Sequence, residues 1–164
     1  MTRSFAWLTA MVAFLQIATT LADEPKSEDY MTFFKHYVGV WKCEVSDGSS
    51  GTLTYEVAPN GRCLIGHLTI DGKPETEALE GYDPVEKCWK HVAWYADGGH
   101  GVLIFKLDKE TLSAGPAGHT FKGPWTQHTA DGQKTDGVIV NKWIDKNSWT
   151  AESADWRAVL RREK

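Results

Sequence analysis

From residue 38 onward, apolar and polar side chains alternate in short runs, and several of the breaks between runs carry Asn-Gly or Asp-Gly. Trp41, Cys43 and Val45 share one parity, against Lys42 and Glu44. Leu53 and Tyr55 oppose Thr52, Thr54 and Glu56; Phe121 and Trp125 share a parity, as do Val138, Val140 and Ile144. A period of two places alternate side chains on opposite faces of a strand, one buried and one wet. The pairs Asp47-Gly48, Asn60-Gly61, Asp71-Gly72, Asp97-Gly98 and Asp131-Gly132 accept the positive φ that tight hairpin turns require. The pattern predicts about nine strands, over 38–46, 51–58, 62–70, 75–82, 88–96, 101–107, 118–128, 134–144 and 148–154.

Connections this short demand antiparallel neighbours, since parallel pairing needs a long crossover. Many strands with almost no helix leave a closed barrel or a two-sheet sandwich. Successive hairpins favour an antiparallel up-and-down β-barrel, whose closure also removes the exposed edges that template aggregation. Residues 23–31 read as a flexible leader, and Thr32 to Tyr37 as one helical turn with Phe33, Phe34 and Tyr37 on one side. The barrel domain is expected over 32–156, with Ala114–Gly118 as its best loop and 157–164 as a basic C-terminal tail that frays or forms a short final turn.

The N-terminus is different. Arg3 precedes a mostly apolar stretch from Phe5 to Leu15, and Thr20-Leu21-Ala22 puts small residues where a signal peptidase selects them. Residues 1–22 are therefore expected to be a signal peptide cleaved near Ala22, giving a secreted or periplasmic protein. Thr9, Gln16, Thr19 and Thr20 interrupt the apolar stretch, which falls short of the roughly 20 residues a membrane span needs. No membrane span is expected after cleavage.

The string Phe33-Phe34, then Tyr37-Val38-Gly39-Val40-Trp41, is an aromatic turn followed by Gly-x-Trp at the opening of the first strand. It resembles the calycin superfamily, the lipocalins and their relatives, and the resemblance implies that Trp41 closes one end of the barrel. With Gly81-Tyr82-Asp83-Pro84 in mid-chain, the sequence is more similar still to secreted bacterial lipocalin-like domains of uncharacterised function. A related haem-binding barrel family carries further glycines after the Trp, where this chain has Lys42 and Cys43. No cofactor is expected.

Composition sharpens this picture in two places. The net charge of -4 and pI near 5.8 argue against a nucleic-acid partner, which needs a basic face. Eight tryptophans in 164 residues exceed what a routine core of this size uses. Trp89, Trp94, Tyr95, Trp125 and Trp143 have two readings: packing inside the barrel, or lining a cavity for an apolar or aromatic molecule. His91 and His119 would add polar contacts.

The histidines, among them His36, His67, His100 and His128, have no metal-ligand spacing, so a metal site would have to be assembled across strands, as from His67, His91 and His119. No metal is expected. Three cysteines permit one disulfide at most. Cys43 and Cys63 are the pair it would join, provided their Cα atoms come within ~7 Å; otherwise the thiols, Cys88 included, act as small hydrophobes. No hydrolase, Walker, dinucleotide or Cys-His protease signature is present. Glu75, Glu77 and Glu80 read as a solvated edge.

The expected function is a binding protein that holds a small, mostly apolar ligand in an aromatic-lined barrel. A catalytic barrel with a His or carboxylate base is the alternative, and its mark would be a cavity-facing His bonded to a buried acid. A third reading is a ligand-free envelope interaction domain. Oligomeric state is left open.

Overall fold

The computed structural model describes residues 24–164, so the expected signal peptide over 1–22 lies outside the described residues. A helix, α1 (Ser27–Phe34), and a 3-10 turn (Lys35–Tyr37) precede ten strands. These are β1 (Gly39–Val45), β2 (Ser50–Val57), β3 (Cys63–Ile70), β4 (Lys73–Asp83), β5 (Cys88–Tyr95), β6 (His100–Phe105), β7 (Thr120–His128), β8 (Lys134–Asp145), β9 (Ser148–Glu152) and β10 (Arg157–Arg162). A second helix, α2 (Lys109–Ala114), joins β6 to β7. Each strand pairs antiparallel with the next, and β10 pairs with β1 to close the ring. The chain is thus an all-β, up-and-down closed barrel. Its turns use the expected chemistry: Asp71 (φ 48°) and Gly72 (φ 77°) alone connect β3 to β4.

One end of the barrel is a floor. Tyr30, Phe33 and Phe34 of α1 and Tyr37 of the following turn are buried against Trp89, Phe105, Phe121, Trp143 and Trp149. Phe34 stacks on Trp89 with centroids 4.5 Å apart. The Tyr30 hydroxyl donates to the Leu107 carbonyl and accepts from the Leu107 N–H. Trp41 is fully buried here; its Nε1–H donates to the Tyr37 carbonyl at 2.6 Å, and the Arg162 guanidinium lies 4.1 Å from its ring centre. Arg162 also donates to the carbonyls of Val38 and His36, both at 2.6 Å, which pins the turn to the last strand.

The mid-chain Gly-Tyr-Asp-Pro segment has a local role at the same end. Asp83 Oδ1 accepts the N–H groups of Val85 and Glu86 in the β4–β5 turn, and Lys90 Nζ donates to Oδ2 at 2.7 Å. Those donors hold the Asp83 carboxyl down at about 2. The Tyr82 ring packs on Tyr30, with centroids 5.2 Å apart.

Several expectations need correction. The segment 23–31 is not all leader: α1 begins at Ser27, because Tyr30 and Met31 already reach the floor. The segment 157–164 is not simply a tail: Ala158 and Leu160 point inward from β10 while Arg157 and Arg161 point out. The basic residues hid a period-two strand. Val138, Val140 and Ile144 do share a face of β8, but it is the outer one; Val138 and Ile144 are 49% and 55% exposed. The inner face carries Gly137, Ile139, Asn141 and Trp143.

The three cysteines are free. Cys43 aligns with Gly51, and Gly51 with Ile70, while Cys63 starts β3 at its other end. Seven residues of strand, roughly 23 Å at ~3.3 Å each, separate those levels, far beyond disulfide reach.

Candidate functional site

Above the aromatic floor the barrel encloses a cavity of about 600 Å³. Phe34 and Tyr37 form its base, and Leu53, Leu68, Ala78, Leu103, Ile139, Ala151 and Leu160 give it mostly apolar walls. Asp47, Ser49, Glu75 and Asp97 stand at the far end, where the hairpin turns make the mouth. The volume is within the range of small-molecule sites, roughly 300–1,000 Å³.

One polar cluster interrupts the apolar wall. Glu80, on β4, is 4% exposed and points inward. Its Oε2 accepts from Trp89 Nε1–H at 2.9 Å, and its Oε1 pairs with His91 Nδ1 at 2.7 Å. The Tyr55 hydroxyl donates to the same carboxylate. Burial pushes the Glu80 pKa up, but the His91 charge and the three hydrogen bonds outweigh it, so the carboxyl lies below its ordinary value. Burial, followed by the Glu80 charge, raises Tyr55 well above the usual phenol range. His91 lines the cavity with 23% of its side chain exposed. A carboxylate on Nδ1 fixes the ring's orientation and directs the proton to that nitrogen.

Register explains why these residues meet. Leu64, Glu80 and His91 sit opposite one another across β3, β4 and β5, and Tyr55 opposes Gly66 across β2 and β3. Gly66 leaves the space that the Tyr55 ring occupies, since a Cβ there would lie 2.6 Å from Tyr55 Cε1. Gly66→Ala should displace that ring from Glu80, at a cost of about 1–3 kcal/mol. A thermal melt checks the cost. It should largely vanish when Gly66→Ala is placed on Tyr55→Ala, where the ring is already gone.

The residues singled out in the sequence are spread among several environments. His91, Tyr95 and Trp125 line the cavity. Trp89 and Trp143 are buried in the floor beneath it, where Trp143 Nε1–H donates to the Tyr37 hydroxyl at 3.0 Å. Trp94 is on the outer wall, 53% exposed. His119 lies between α2 and β7, outside the cavity lining. His67 also faces outward, paired with Glu77, so His67, His91 and His119 do not come together. Among the described residues no three His, Cys, Asp or Glu side chains form a metal-binding group.

Sequence reasoning missed Glu80, Tyr55, Tyr37 and Asn141 as cavity residues. The solvated-edge reading of Glu80 is overturned by its burial, because β4 points Ala78, Glu80 and Tyr82 inward and leaves Leu79 47% exposed. Counting by twos from Trp89 to His91 and across the 83–88 turn reaches Glu80; that was the available signal. The sequence matches no family model and no curated protein. No described helix is long and apolar enough to cross a membrane.

Proposed function

We propose that the protein is an exported, lipocalin-like binding protein that holds one small, mostly apolar molecule inside the barrel. The observation that carries this is the cavity of about 600 Å³, apolar along most of its wall and closed below by packed aromatic rings. Burial of an apolar guest there is favourable by ~25 cal/mol per Å². Gly-x-Trp ahead of a β meander, and the small residues before Asp23, support the lipocalin-like and exported parts of the reading.

Filling the cavity tests it. Ala151 is 7% exposed and lines the wall, so Ala151→Trp should occupy guest space. Native mass spectrometry of the protein from its producing cells should detect a bound small molecule in the wild type and lose it in a folded Ala151→Trp variant. A wild type that neither carries a guest nor takes up apolar probes would refute the reading.

A second reading has an observation of its own. His91 faces the cavity and is bonded to the buried Glu80, the pairing expected of a general base. In that case the guest is a substrate, chemically changed by the wild type and left intact by folded His91→Ala. If both proteins return the guest unchanged, the barrel only binds.

A further inference from the structure

The polar groups of the cavity are unequally satisfied. Glu80 already accepts from Trp89, His91 and Tyr55, so its carboxylate is engaged. His91 uses Nδ1 on Glu80, and its Nε2 has no hydrogen-bond partner among the described residues. Asn141 is 4% exposed, lines the same cavity from β8, and its amide hydrogen-bonds to no described residue. A buried polar group left unmatched costs about 1–3 kcal/mol, and native proteins rarely keep one without a ligand or water to meet it. The Nε1–H groups of Trp125 and Trp149, on the same lining, are also buried without a hydrogen-bond partner among the described residues. Unmatched polar groups in a mostly apolar wall are the complement of an apolar molecule with polar atoms at defined places.

The direction of the hydrogen bond at His91 follows from Glu80. A carboxylate cannot donate, so the Nδ1 facing it carries the proton, and in the uncharged ring Nε2 presents a lone pair. The group it selects is a hydrogen-bond donor. Tyr37, at the base of the same cavity, and Trp125, on its wall, supply the flat apolar surfaces that suit an aromatic body. We infer that the cavity takes an aromatic molecule bearing a hydroxyl, whose O–H donates to His91 Nε2, with the Asn141 amide available to a further polar atom of the guest. This inference rests on the binding reading and specifies the guest's chemistry.

Equilibrium dialysis at pH 8 with 2-naphthol and 2-methoxynaphthalene tests it, since the two share the ring system and differ in the donor. The wild type should hold 2-naphthol roughly tenfold more tightly, the value of about one hydrogen bond. In His91→Phe that preference should disappear, while 2-methoxynaphthalene binds about as before. Equal affinities in the wild type, or a preference that survives in His91→Phe, would overturn the inference and leave the binding reading standing. Absence of binding for both probes would overturn the two together. If His91→Phe does not fold, the wild-type ratio decides alone.

Discussion

Replacing Trp41 by alanine is expected to destabilise the protein by about 3–5 kcal/mol, the usual cost of removing a fully buried indole. Trp41 has no exposed surface, and its ring meets Trp143 and Trp149 edge-on, with centroids 5.6 and 6.2 Å away. Alanine would leave an indole-sized void and strip the Tyr37 carbonyl of its side-chain donor. Arg162 would lose the face it lies on. Domains of this kind have only about 5–15 kcal/mol of stability in all, so the melting temperature should fall by roughly 10 °C or more. Trp41→Phe, which keeps a ring and loses only the N–H and part of the volume, should recover more than half of the loss. A Trp41→Ala protein that melts within a degree or two of the wild type would show that the floor does not depend on this residue.

The second large effect concerns Glu80. Glu80→Ala should cost about 3–5 kcal/mol, because it strands three donors at once, those of Trp89, Tyr55 and His91. The urea midpoint should drop by about 1–3 M at the slopes typical of small domains. Glu80→Gln keeps the shape and one acceptor oxygen, and should cost less. The charge adds a pH signature. The folded pKa of Glu80 lies below its ordinary value of 4.5, so its contribution is present above the unfolded pKa and is lost as pH falls through the folded one. Stability of the wild type should therefore decline below about pH 5 more steeply than that of Glu80→Gln. Parallel acid slopes for the two proteins would mean that the carboxylate gains nothing from its partners.

The fold was largely readable, and the site much less so, for one physical reason. Turn chemistry is local, so Asp71-Gly72 announces its hairpin whatever surrounds it. Parity is not local: it says which residues share a face, and only hydrophobicity says which face is inner. In β1 the two agree, since Trp41 and Cys43 are buried and Lys42 and Glu44 are not. In β4 and β8 they disagree. Leu79 stands outside, between Ile65 of β3 and Val92 of β5, in an apolar row on the outer wall. Glu80 and Asn141 stand inside, on the parity that lines the cavity. A barrel with polar groups in its interior inverts the rule used to orient its strands. Cavity placement split the candidates in the same way: His91 and Trp125 alternate inward with their strands, Trp94 falls on the opposite parity, and His119 precedes its strand altogether.

The ring is joined by β10 meeting β1, with Leu160 opposite Cys43 and Arg161 opposite Lys42. That seam links the two ends of the barrel sequence, so it is the pairing with the largest loop to close and should be among the last to form. Until β10 docks, β1 and β9 each present an open backbone ladder. A chain held in that half-finished state has two sheet edges for a chaperone to shield.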